Sequence, residues 1–258
     1  MKLYSFYTPS HDVLLNECFL PSIHNEYELI LEKADQECKS ASYMHDGWMH
    51  TMLKKVDLIL RGIRENWGQP FLHSDVDVIF LRPTRDVLMK SLNGMDMAIQ
   101  RNNRKGSVCA GFMAIQGNDR TQRLWEAIRK EMISQTEKTI GTPKNDQDLL
   151  YDELIPTCRL FQSVKGLRVL RGQLGWNAYN IRWKYLPDCF FGYGLVRSRT
   201  WKGEIFTVPR NIAVFHANYV LGIENKKKIL GYVQDTVQKR SPDWPESRKL
   251  NIRGLTRK

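Results

Sequence analysis

The sequence predicts an α/β fold built on a mixed, largely parallel sheet flanked by helices. Two observations carry this expectation. Short apolar or alternating runs recur along the chain, and segments with helical periodicity separate them, an order that favours parallel strands with covering helices. The composition agrees: of 258 residues, 42% are hydrophobic and 26% charged, as in an ordinary globular domain able to bury a sizeable core.

The elements follow in order. Leu3-Tyr4-Ser5-Phe6-Tyr7 is an aromatic-rich strand ended by Thr8-Pro9-Ser10, and a helix begins near Asp12. Tyr27 to Leu31 alternates as a second strand. Between Tyr43 and Arg64, Met49, Met52, Leu53, Val56, Ile59, Leu60 and Ile63 recur at helical spacing, and Asn66-Trp67-Gly68 stops the helix. Pro70 to Ser74 is a short buried strand that runs into Asp75 to Leu81. A helix over 84–92 follows, then strands over 95–100 and 108–116 on either side of a basic loop, 101–106. Helices are expected over 119–134 and 146–153. Leu167-Arg168-Val169-Leu170 and Ile212-Ala213-Val214-Phe215 read as late strands, and 224–238 as a last helix. With no repeat and no low-complexity linker, the simplest division is one catalytic domain over 1–238 and a basic tail over 239–258.

Charge and cysteine usage narrow the class. The five cysteines, Cys18, Cys38, Cys109, Cys158 and Cys189, are widely spaced and form no C-x-x-C pair, which argues against zinc ribbons and redox motifs and for free thiols in a reducing compartment. The first nine residues lack the apolar run of a secretory signal, and no stretch has the length to span a bilayer. The expected location is therefore the cytoplasm. The net charge is +11, and from Lys226 to Lys258 ten Lys/Arg face three acids. Such a tail suits an anionic membrane surface, a nucleic acid or an anionic substrate, or is simply solvated.

The strongest chemical signal is Asp75-Val76-Asp77. Two carboxylates one residue apart stand at the carboxyl end of an apolar strand, where open α/β sheets bind ligands. In extended backbone they point the same way, and a fold tolerates such a pair best with a cation between them. Oxygen ligands of this kind suit Mg²⁺ or Mn²⁺.

Four segments in order, Phe71 to Pro83, Cys109-Ala110-Gly111-Phe112, Asn145-Asp146-Gln147-Asp148 and Phe215-His216-Ala217-Asn218, then resemble the nucleotide-diphospho-sugar transferases, glycosyltransferases of the GT-A type distantly similar to the glycogenin and bacterial galactosyltransferase group. Phe71 to Pro83 resembles their D-x-D segment, Cys109-Ala110-Gly111-Phe112 an N-A-G-F strand, and Asn145-Asp146-Gln147-Asp148 a D-Q-D turn. Phe215-His216-Ala217-Asn218, with Gly222 and Lys226, resembles a late H-G-K element. The resemblance implies a Rossmann-like GT-A domain that moves a hexosyl or pentosyl unit from a nucleotide-sugar, most simply a UDP-sugar, to a glycan or other hydroxyl acceptor. It implies Mn²⁺ or Mg²⁺ held by Asp75, Asp77 and His216. Donor contacts are expected from Thr8, Asp75, Gly111, Gly222 and Lys226, and Asp146 and Gln147 are expected at the reacting sugar. The D-Q-D relatives are mostly retaining enzymes; were the reaction inverting, Asp146 or Asp148 would serve as base. The chain departs from the family at Cys109, where relatives carry an Asn that helps hold the sugar. Lys54 and Lys55 could bring one charge to the diphosphate, although solvation is the ordinary fate of such residues. His11, His24, His45, His50 and His73 read as structural or surface residues.

Two other readings fit less well. A sugar nucleotidyltransferase needs a Gly-rich loop after the first strand, where this chain has Thr8-Pro9-Ser10-His11-Asp12. A nucleic-acid-binding protein would match the charge, but its usual modules are absent, so no specific nucleic-acid partner is expected.

Overall fold

The computed structural model describes residues 1–38, 47–137, 143–155, 165–197 and 199–240. Within them lie strands β1 (Lys2–Tyr7), β2 (Glu28–Lys33), β3 (Pro70–Ser74), β4 (Val78–Phe80), β5 (Met97–Arg101), β6 (Val108–Gln116), β7 (Trp183–Tyr185), β8 (Phe190–Gly192) and β9 (Val214–His216). The longer helices are α1 (Trp48–Glu65), α2 (Arg85–Leu92), α3 (Asp119–Glu137), α4 (Asp146–Leu154), α5 (Lys165–Leu174) and α6 (Ile223–Arg240). A continuous helical stretch over 12–22 follows β1.

The main sheet has the order β2-β1-β3-β6-β5-β7. The β1–β2, β1–β3 and β5–β7 ladders are parallel, and β6 runs antiparallel to both neighbours. The alternation of side chains along β3 and β6 explains why this sheet must be covered on both sides. Phe71, Met113 and Ile115 pack under α1 and α3 with Val56, Ile59, Ile63, Leu124 and Trp125. Leu72, Phe112 and Ala114 face the opposite way, against Leu15, Phe19, Phe80, Leu88 and Phe190. Gly62 lets α1 approach closely: a β-carbon there would lie 2.7 Å from the Phe71 ring.

The run from Pro70 to Leu81 is not one extended path through this sheet. After Ser74 the chain leaves it, and β4 joins a second, three-stranded sheet of order β4-β9-β8. Ile79 and Phe215 there pack with Ile229, Leu230 and Val233 of α6. The link between the sheets is Asp75-Val76-Asp77.

The expected strand at Leu167 to Leu170 is instead part of helix α5. A four-residue run cannot separate the two periods, and the sequence continues at helical spacing to Leu174. Strands β7 and β8, three residues each, are too short to announce themselves. The long helix begins at Trp48 after Gly47, whose φ is 80°; residues 43–46 of the expected helix lie outside the described residues. Helix α6 reaches Arg240, and the basic residues beyond it also lie outside them. Among the described residues no helix is long and apolar enough to cross a membrane.

Phe71 is fully buried and meets Tyr4 edge-on at 5.3 Å. Phe71→Ala should cost about 3–5 kcal/mol, seen as a lower urea midpoint at unchanged slope; a loss under 1 kcal/mol would show that the layer beneath α1 is not packed this way.

Candidate active site

Asp75-Val76-Asp77 is shaped by where its middle residue goes. Val76 is buried in the core cluster that contains Leu72 and Phe80, and the two carboxylates on either side converge on His216. The convergence is a matter of register: Val78 of β4 pairs with His216 of β9. Ligand atoms of Asp75, Asp77 and His216 all lie within 4.8 Å of one another, and His216 Nε2 is 3.3 Å from Asp77 Oδ1. Backbone bonds fix the link from both ends: Asp75 N–H donates to Gly111 O at 2.8 Å and Ala217 N–H to Asp77 O at 3.0 Å. Gly111 is the floor beneath two of the three side chains. A β-carbon there would fall 2.5 Å from Asp75 Oδ2 and 2.6 Å from His216 Cε1, so no other residue leaves both in place.

Two lysines answer these carboxylates. Lys55 of α1 is buried, with Nζ 3.1 Å from Asp75 Oδ1 and 3.4 Å from Asp146 Oδ2. Lys226 of α6 stands 2.8 Å from Asp77 Oδ2. Burial works against ionised Asp75, but Lys55 and the His73 ring hold its carboxyl below the usual carboxylate range. Asp77 is likewise held well below that range, by Lys226 and His216 against burial. Lys55 is raised above the ordinary lysine value, because Asp146 and Asp75 outweigh its burial. Burial also opposes a charged His216; the Cys109 sulfur and Asp77 overcome it and raise the imidazole to about 10.

Asn145-Asp146-Gln147-Asp148 forms the start of α4 and splits its roles. Asn145 Oδ1 accepts from the backbone N–H of Gln147 at 2.9 Å and of Asp148 at 3.0 Å. Asp148 turns back to the Asn145 N–H and closes a capping box. Asp146, buried, is thereby aimed at Lys55, and Gln147 Oε1 accepts from Ala110 N–H at 3.3 Å.

One cleft of about 620 Å³ contains every site residue expected from sequence: Thr8, Asp75, Asp77, Gly111, Asp146, Gln147, His216, Gly222 and Lys226. Gly222 adopts φ 81° just before α6 with open space around it, so glycine is required there for conformation rather than room.

For other residues near the site the ordinary expectation is solvent or structure. Lys55 lines the cleft and is buried, whereas Lys54 is exposed, the ordinary fate of a lysine. His11 lines the cleft, with Nδ1 3.2 Å from Thr8 Oγ1; burial and then nearby Lys226 lower its pKa. His73, buried on β3, has Nε2 3.6 Å from Asp75 Oδ1. Burial keeps it below the ordinary histidine value. His24, His50 and His73 do not line the cleft, and His45 lies outside the described residues. Among the described residues Cys18, Cys109 and Cys189 are in no disulfide; Cys158 lies outside the described residues.

A model of the family described as nucleotide-diphospho-sugar transferase matches residues 17–230. No curated protein matches. Among solved structures, a glycosyltransferase involved in glycosylation of the major capsid of PBCV-1 superposes with TM-score 0.54 at 10% identity, over 90% of this chain and 98% of that one. The glycosyltransferase GlyE of Streptococcus pneumoniae TIGR4 gives 0.48 at 14%, over 96% and 65%. The galactosyltransferase LgtC, in complex with donor and acceptor sugar analogs, gives 0.45 at 13%, over 90% and 96%. At 10% identity the likeness to the first is one of fold.

The two neighbouring lysines separate a buried ion pair from a surface charge. Lys55→Met leaves Asp75 and Asp146 without their shared cation and should cost about 3–5 kcal/mol in urea unfolding. Lys54→Met should stay within about 0.5 kcal/mol of the parent. Equal effects of the two would overturn the placement of Lys55.

Proposed function

Since the chain belongs to the nucleotide-diphospho-sugar transferase family and is a glycosyltransferase of GT-A fold, we propose that it transfers a sugar from a UDP-sugar to a hydroxyl of a glycan or other acceptor, using Mn²⁺ or Mg²⁺ and retaining anomeric configuration. The observation that carries this reading is the convergence of Asp75, Asp77 and His216 on the wall of one cleft.

The residues fit a divalent cation. Two carboxylates and an imidazole form a donor set suited to Mn²⁺, and to Mg²⁺ where waters complete the shell. The ammonium of Lys226 on Asp77 supports the same view, because these carboxylates already attract a cation. Bound there, the metal would neutralise charge on the departing nucleoside diphosphate. The chain supplies the rest. Lys226 offers a charge-assisted contact to the diphosphate, and the first turn of α6, after Gly222, presents free N–H groups to it. Thr8, at the end of β1, faces the nucleoside end of the donor. Asp146 accepts from donor-sugar hydroxyls while Lys55 orients it. Gln147, whose amide Ala110 N–H holds, is placed to steady positive charge developing at the anomeric carbon.

Retention is favoured by how the two acids of the turn are occupied. An inverting reaction needs a carboxylate free to take the acceptor proton. Asp146 is paired with Lys55, and Asp148 closes the capping box.

The direct test is to incubate the protein with Mn²⁺ and a panel of UDP- and GDP-sugars and follow release of nucleotide. Slow hydrolysis confined to one UDP-sugar is expected, and no release from any donor would sink the reading. Asp77→Asn preserves shape and removes charge; its turnover should fall below detection while circular dichroism stays unchanged. Wild-type activity in excess EDTA would rule out the metal. Lys226→Ala should weaken binding of UDP with Mn²⁺ by about 2 kcal/mol in calorimetry and leave uridine binding as it was; equal UDP affinity in both proteins would return the lysine to a surface role.

A further inference from the structure

Strands β5 and β6 pair regularly from Met97↔Ile115 to Ile99↔Met113, and then the register breaks. Gln100 faces Cys109, where an unbroken ladder would give it Phe112. The slack, 110–112, contains Gly111, the floor beneath Asp75 and His216. One irregularity therefore does two things: it creates that floor and it turns Gln100 inward behind His216. Such irregularities re-aim side chains beside functional sites.

Gln100 is fully buried. Its amide has two unlike ends, and each has one partner. Nε2 donates to the backbone carbonyl of Phe190 at 3.3 Å. A carbonyl can only accept, so this contact fixes the amide's direction and leaves Oε1, an acceptor, 2.8 Å from His216 Nδ1. Nδ1 must then carry hydrogen. The Cys109 sulfur, 3.5 Å from the same nitrogen, is a longer and weaker contact. The other ring nitrogen, Nε2, is the one beside Asp77.

We propose that Gln100 is a positioning residue: the chain Phe190 C=O, Gln100 amide, His216 imidazole holds the ring as its Nδ1–H form and turns Nε2 toward the cation. The inference rests on the metal site proposed above. An imidazole whose second nitrogen is hydrogen-bonded is both oriented and made a better ligand, and loss of such a partner typically costs about 10–100-fold in metal affinity.

The test is Mn²⁺ calorimetry on the full chain in the presence of UDP. Gln100→Leu should weaken Mn²⁺ binding by about 10–100-fold. The same change in a His216→Ala background should alter it by less than about twofold, since coupled residues are not additive. Equal losses in both backgrounds, or no loss in the single variant, would overturn the assignment. A second measurement needs no variant: in ¹⁵N-histidine-labelled protein with Mg²⁺ and UDP, His216 should show a proton bonded to Nδ1, and an unprotonated Nδ1 would overturn the proposal even if Gln100→Leu did not fold. Asp77→Asn, run alongside, separates the two claims. Wild-type Mn²⁺ affinity in that variant would remove the metal site itself; loss there with none in Gln100→Leu would remove only the role of Gln100.

Discussion

Three carboxylates line one cleft in this molecule, and the neutralisation of their charge governs how the rest is arranged. Two unit charges about 5 Å apart repel by about 3 kcal/mol at the effective dielectric of a protein site. Asp75, Asp77 and Asp146 come from two separate segments, and Lys55, His216 and Lys226 come from three more. No short piece of chain could hold such a cluster. The sheet, with α1 on one face and α6 behind the smaller sheet, brings both signs to one cleft.

The junction between the two sheets is what makes that meeting possible. Had the chain continued straight from β3, Asp75 and Asp77 would have been edge residues of one sheet. Because it crosses to β4, the pair stands between the carboxyl end of β3 and the carboxyl end of β9, with His216 alongside. The break in the β5–β6 ladder serves the same place from below. In both cases an interruption of regular hydrogen bonding positions the chemistry, and the regular parts supply stiffness around it.

How much of this could be read in advance depended on whether a residue's neighbours in sequence reported its surroundings. Phe71-Leu72 and Val78 to Leu81 frame Asp75 and Asp77 so strongly that a buried turn with carboxylates was legible. The helix over Trp48–Glu65 was legible from its apolar stripe, and Lys55 sits at the border of that stripe, next to Val56 and three residues after Met52. Its burial was therefore available in the spacing, but the usual solvation of lysine outweighed it. His216, Gly222 and Lys226 were found by resemblance; their own neighbours say only that a strand ends and a helix begins. Gln100 was hidden, because its role arises from a register break that leaves no mark in local periodicity. The helix at Lys165–Leu174 was misread because its apolar run is too short to reveal a period.

The contact between Lys226 and Asp77 has a consequence for how the site fills. A protein that carries its own counter-ions is folded and electrically balanced before any cation arrives, so apolar burial alone need not offset three crowded carboxylates. Under the proposed function the same contact would make an incoming metal a competitor: it would have to displace an ammonium from Asp77 and release α6's first turn from that anchor. The freed lysine would then need a new anion, which a diphosphate would provide. Metal and nucleotide would thus arrive as partners in a single exchange of ions, each lowering the cost of admitting the other.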